Sequence, residues 1–191
     1  MKRWLRFTAA VLAAAFLFAL TGCGSSTNSA SFTWFVDSIP ANLDPQVASG
    51  ASDVIACENL YGTLVRKDPD GELVPGLCEK WTVSPDGLTY TFTLKDGLTY
   101  AAAKGAATEY DITAEDFVFA FRRIFRADTA SPYAVEFSAI QNSAAVQAGL
   151  ADESSLGVSA NGALTLVFRL SERDDNFLAK LAMPGAAPCD E

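Results

Sequence analysis

Strict alternation is the clearest pattern along the chain: in "LTYTFTLK" Leu88, Tyr90, Phe92 and Leu94 fall on one face and threonines on the other. A period of two belongs to a strand with one face buried. "KWTVS" precedes it across Pro85-Asp86-Gly87, so the two runs predict a hairpin. "LGVSANGALTLVFRLS" predicts another around Asn161-Gly162, a dipeptide suited to the positive backbone angles of a tight turn. Between them the period lengthens. In "DITAEDFVFAFRRIFR", Phe117, Ala120, Phe121, Ile124 and Phe125 share one helical face, with Thr113 and Asp116 in capping-box relation. A helix is also predicted from Ser52, as cap, to Val65, with Val54, Ile55, Leu60, Tyr61 and Leu64 as its stripe. "TASPYA" reads as a helix start, Ser131 capping and Pro132 at the first position. "DDNFLAKLAM" reads as a short final helix. "SFTWFVDS" (31–38) is expected to form a first strand, Pro40 and Asp44-Pro45 an irregular turn, residues 67–72 a turn, and the alanine-rich 98–111 a loop.

The opening of the chain follows a different logic. Lys2, Arg3 and Arg6 precede an almost wholly apolar run from Phe7 to Leu20, the order of a secretory signal. That run is shorter than the roughly twenty residues a spanning helix needs. It ends in Leu20-Thr21-Gly22-Cys23, which resembles the lipobox of bacterial lipoproteins. The resemblance implies a signal peptide over 1–22, lipid attached to Cys23, and a flexible polar tether over 23–31. One acyl chain holds a protein only marginally, so a stable anchor takes two or more.

Without residues 1–22 the chain carries 11 basic and 23 acidic side chains, a formal charge of −12. That balance argues against nucleic acid and against electrostatic attachment to anionic lipid. The sequence holds no histidine, which excludes imidazole metal sites and a Ser-His-Asp triad. No cofactor and no catalytic residue is indicated: no G-x-S-x-G motif occurs, and the acids of "AEDF" sit where a helix dipole favours them. Cys57, Cys78 and Cys189 form no CxxC pair; Cys57 and Cys78 are read either as a bridge, which export permits, or as small buried thiols.

Five phrases now stand in order: "NLDPQ" (42–46), "ENLYGTLVRKDPDGELVPGLCEKWTVSPDGLTYTFTLKDG" (58–97), "TAEDFVFAFRR" (113–123), "TASPYA" (129–134) and "LGVSANGALTLVFRL" (156–170). Together they resemble the N-terminal part of the family 5 extracellular solute-binding proteins, the oligopeptide- and dipeptide-binding receptors of ABC importers. The resemblance implies an α/β fold of the type II periplasmic-binding-protein kind, here incomplete. Residues 32–64 would be the first segment of a ligand-binding lobe, 65–191 a small extra α/β domain, and the second lobe would be missing. It further implies a monomeric receptor on the outer face of the cell membrane (the periplasmic side in a diderm), handing peptides to permease subunits. Other family ligands are nickel chelates, haem and oligosaccharides; a structural or signalling lipoprotein is the alternative without transport. Ser49, Gly50 and Ala51 align with a strand that hydrogen-bonds the peptide backbone, a form of β-augmentation. Tyr133 aligns with a tyrosine lining the peptide cleft; its bland reading is a core tyrosine. The chain departs from the family pattern at Gly62-Thr63, in the 98–111 loop, and at Ser49, where an acid is common.

Overall fold

A four-stranded antiparallel sheet carries the fold because its two inner strands each offer one greasy face. The computed structural model describes residues 37–101 and 110–190, with Thr33 on its own. Residues 37–190 lie in one compact unit, Val36–Glu191. The expected strand over 31–38, the signal peptide and Cys23 lie wholly or largely outside the described residues.

In chain order the elements are α1 (Ala51–Leu60), β1 (Val65–Lys67), β2 (Leu73–Pro75), β3 (Cys78–Val83), β4 (Thr89–Leu94), α2 (Ala114–Phe125), α3 (Ser143–Gln147), β5 (Val158–Ala160), β6 (Thr165–Arg169) and α4 (Phe177–Lys180). Single 3-10 turns occur at Pro132–Ala134, Glu153–Ser155 and Pro184–Ala186. The main sheet has the order β3-β4-β6-β5, and β1 and β2 form a separate two-stranded ribbon. Register follows the alternation: Tyr90 pairs with Phe168 and Phe92 with Leu166, so apolar residues share one face. A bulge between Cys78 and Lys80 lets β3 leave that register.

α2 covers this face. Phe117, Phe121, Ile124 and Phe125 are buried, and Phe121 meets Phe168 edge-on at 4.8 Å and Phe137 at 5.0 Å. Phe177 of α4 completes the cluster, 5.4 Å from Phe168 and 4.9 Å from Tyr90. Edge-to-face pairs of this kind add about 0.5–1.5 kcal/mol beyond area burial. The capping box forms as expected: the Asp116 carboxylate accepts from the Thr113 N–H at 2.6 Å and from its hydroxyl at 2.9 Å. Gly162, at φ 72°, turns the β5–β6 hairpin.

α1 differs from expectation at both ends. Gly50, not Ser52, is its N-cap, and it stops at Leu60 because Tyr61 is extended (φ −114°, ψ 140°). Leu64 and Val65 are instead buried where the β1 ribbon begins. Ser52 lies inside the helix, its hydroxyl 2.9 Å from that of Ser38. The expected stripe faces outward in part, with Ile55 40% and Leu60 61% exposed. Cys57 and Cys78 are separate free thiols, both buried. Among the described residues no helix is long and apolar enough to cross a membrane.

Candidate functional site

The segment before α1 has almost no regular structure, so its backbone groups must find partners elsewhere. Side chains supply them. Asp53 accepts from the N–H of Ala41 at 2.7 Å and of Asn42 at 3.3 Å; the Tyr61 hydroxyl donates to Leu43 O at 2.9 Å. The Asp44 side chain caps the turn that follows, accepting from Gln46 N–H at 3.1 Å. The same carboxylate receives Arg123 of α2 in a bidentate pair, one arm at 2.8 Å. The hydrogen bond from Arg123 holds the Asp44 carboxyl below its ordinary range, against the opposing effect of burial.

Gln46 sits at the centre. It is fully buried, and each of its polar groups has a partner. Its Oε1 accepts from Arg123 at 2.6 Å and its Nε2 donates to Ala187 O at 2.9 Å. Its backbone oxygen accepts from the Ser131 hydroxyl at 2.5 Å. Ser131 Oγ in turn accepts from Tyr133 N–H at 3.2 Å, capping the 3-10 turn. One buried amide therefore ties the turn at 44–46 to α2, to the Tyr133 turn and to the tail after α4.

From this anchored turn the chain emerges at Ser49 and Gly50, both exposed. Gly50 is extended, with φ −71° and ψ 147°. Ala51 is not: it opens α1, so the extended run expected over 49–51 does not include Ala51. The physical reason is the helix hydrogen bond from Val54 N–H to Gly50 O at 2.9 Å, which fixes Ala51 inside the first turn. Tyr133 is 8% exposed, and its ring lies flat against Gly185, where an added Cβ would come within 2.4 Å of the ring. Burial pushes its phenol up, and the negative charge of Glu58 on α1 adds to this. Among the described residues no hydrogen bond joins Ser49, Gly50 or Ala51 directly to Tyr133. Their connection runs through Gln46 and Ser131.

A groove of about 720 Å³ runs between the end of α1 and the tail, lined by Glu58, Tyr61, Arg66, Leu77, Ala182 and Met183 among others; Ser49, Gly50, Ala51 and Tyr133 are not in its lining. Burial also raises the Cys57 thiol, which keeps it protonated and a poor nucleophile. What the region offers is exposed extended backbone, an aromatic ring with a polar tip, and a buried polar brace behind both. Arg123, Gln46 and the Ser131–Gln46 bond were not singled out from sequence. Their one sequence signal is "RR" on the polar side of an otherwise clean amphipathic helix.

Against known proteins the chain matches the family described as bacterial extracellular solute-binding proteins, family 5 Middle, over residues 72–190. The Escherichia coli protein named "Probable deoxycholate-binding periplasmic protein YgiS" is 35% identical over 151 residues, 78% of this chain and 27% of its own length. The oligopeptide-binding protein AliA of Streptococcus pneumoniae is 30% identical over 183 residues, 95% of this chain and 27% of AliA. The structure of the Escherichia coli murein tripeptide binding protein MppA superposes with a TM-score of 0.70 at 33% identity, covering 79% of this chain and 29% of that one. The chain belongs to the family 5 extracellular solute-binding proteins and has their type II α/β fold in part. It spans about a quarter of the length of these curated relatives.

Proposed function

We propose that this chain is the N-terminal part of a receptor that captures oligopeptides outside the cell and delivers them to ABC-importer permease subunits. It is read as a monomeric binding protein and not an enzyme, anchored by lipid on Cys23 to the outer face of the membrane, with residues 24–31 as tether. Residues 32–64 begin the ligand-binding lobe and 65–191 form the extra α/β domain; the opposite wall of the cleft belongs to a second lobe. Closure of the two lobes over the ligand would shift the population toward the closed form.

One observation carries the reading: an exposed Ser49–Gly50 backbone, extended at Gly50, is braced through a fully buried glutamine to the turn that bears Tyr133. Backbone groups held this way recognise another backbone without demanding a sequence, and Gly50 admits close approach. Ala51, at the first turn of α1, contributes its N–H, one of the donors that a helix start leaves without an intrahelical partner. The names of AliA and MppA point to peptides; that of YgiS points to an amphipathic steroid anion.

The test is native mass spectrometry and calorimetry, on the protein as its gene encodes it, with mixed tri- to pentapeptides. Retained peptides with weak dependence on side chain are the expected result. Retention of deoxycholate, a nickel chelate, haem or an oligosaccharide with no peptide would replace the peptide reading. Labelled palmitate should enter the wild type and be absent from Cys23→Ala.

A further inference from the structure

We infer that Gln46 is a positioning residue for the ligand wall: with Ser131 it sets the distance and orientation between the Ser49–Gly50 backbone and Tyr133. This rests on the peptide-receptor reading above. Neither the exposed Ser49–Gly50 run nor the buried Tyr133 is held by a long regular element. Ser49 and Gly50 form an exposed run between a turn and a helix, and Tyr133 sits in a 3-10 turn of three residues. Each is separated by two or three residues from the same buried node, Gln46 on one side and Ser131 on the other, joined at 2.5 Å.

The node is over-determined, which is what a spacer requires. The Gln46 amide has a donor and an acceptor, and both are used, to Ala187 O at 2.9 Å and from Arg123 at 2.6 Å. Rotating the amide would set donor against donor at Arg123 and acceptor against acceptor at Ala187, so one orientation is selected. Arg123 is itself locked by the bidentate pair with Asp44. The Gln46 carbonyl is thereby fixed, and Ser131 reads its position by a hydroxyl that also caps Tyr133. On the far side, the Tyr133 ring rests on Gly185, two residues before the Ala187 carbonyl that Gln46 holds. The loop of contacts closes: Gln46 positions both the turn that carries Tyr133 and the backbone on which its ring lies.

The experiment is a pair of mutant cycles read as peptide dissociation constants, with thermal midpoints measured in parallel. Tyr133→Phe removes the hydroxyl alone and is expected to weaken tripeptide binding by about three- to tenfold in the wild type. In the Gln46→Leu background the same change is expected to cost less than about twofold, because the phenol is already misplaced. Ser131→Ala should behave like Gln46→Leu, and Ser131→Thr, which keeps the hydroxyl, should restore the full Tyr133→Phe effect. Should Gln46→Leu fail to fold, the Ser131 cycle decides. An equal cost of Tyr133→Phe in all backgrounds means a structural role only and overturns the inference, leaving the receptor reading intact. Binding of peptide with no loss in Tyr133→Phe overturns the inference together with the placement of Tyr133 in the wall. A wild type that binds no peptide overturns the receptor reading and this inference with it.

Discussion

Gly185→Ala puts a single methyl where the Tyr133 ring leaves no room for it. The new Cβ would lie 2.4 Å from Cγ of Tyr133 and 2.5 and 2.7 Å from its two Cδ atoms. Carbon atoms sit comfortably at about 3.5–4.0 Å, so the ring or the tail must retreat by roughly 1 Å. Neither moves cheaply. Tyr133 is buried and its N–H is tied to Ser131, while the tail on either side is held by Ala187 O to Gln46 and by its own 3-10 turn. Overpacking of a held site costs about 1–3 kcal/mol. With a two-state unit near this size, each kcal/mol lowers Tm by about 2–4 °C. Urea unfolding followed by circular dichroism measures it directly, and Tyr133→Ala supplies the control. Removing the ring opens the space, so Gly185→Ala should then cost little, giving a coupling of about 1 kcal/mol or more between two positions in contact. Gly185→Ala within about 0.5 kcal/mol of wild type, or an equal cost with and without the Tyr133 ring, would refute the tail-on-ring packing from which the wall is built.

Other perturbations follow from the same contacts. Asp44→Asn should cost about 1 kcal/mol near neutral pH, a modest value because both partners are about a third exposed and the pair is screened. Since folding lowers the Asp44 pKa below 3.8, its contribution is complete above that value and drains as the pH falls through the lower folded pKa; acid titrations of wild type and Asp44→Asn should converge there. Ala130 holds φ 48°, in the left-handed region, so Ala130→Gly should raise stability by about 0.5–1 kcal/mol in urea unfolding. Asp116→Ala removes the acceptor that closes the α2 capping box and should cost about 1 kcal/mol, visible as a lower urea midpoint with unchanged slope.

Local patterns were readable where local energetics decide. β4 could be placed because a period of two assigns every side chain, and Tyr90, Phe92 and Leu94 are buried as the alternation requires. α2 could be placed by its cap and its apolar face together. α1 shows the limit. The Ser52 cap was plausible by type, but the Ser52 hydroxyl is taken by Ser38, fourteen residues away, and Gly50 serves as cap with no side chain. Leu64 continues the apolar rhythm of the helix in sequence, yet tertiary burial claims it and Val65 for the start of the β1 ribbon. The Asp44–Arg123 pair was out of reach for the same reason. Its members lie 79 positions apart, and no periodicity reports a contact between a loop and a helix.

The brace also bears on why binding groups sit outside the regular elements. An inner strand of the main sheet, β4 or β6, spends its backbone hydrogen bonds on neighbours at both sides, so it has none to offer a ligand. Ser49 and Gly50 have no ladder partner, which leaves their backbone exposed and, unaided, mobile. Ordering such a run at the moment of binding would cost roughly 1–2 kcal/mol per residue. The structure lowers that cost beforehand by anchoring the run at both ends: Gln46 fixes the turn before it, and α1 begins directly after it. The anchors are polar where the sheet's core is apolar, and this difference has a consequence. Apolar packing tolerates small slides of one surface over another, whereas a glutamine with both amide groups matched accepts one geometry. Stability of the unit therefore resides mainly in the aromatic cluster of α2, β4, β6 and α4, while the placement of the proposed wall would reside in Gln46, Ser131 and Arg123. Substitutions in the first set should lower the unfolding midpoint broadly; those in the second should change recognition by more than their effect on stability accounts for.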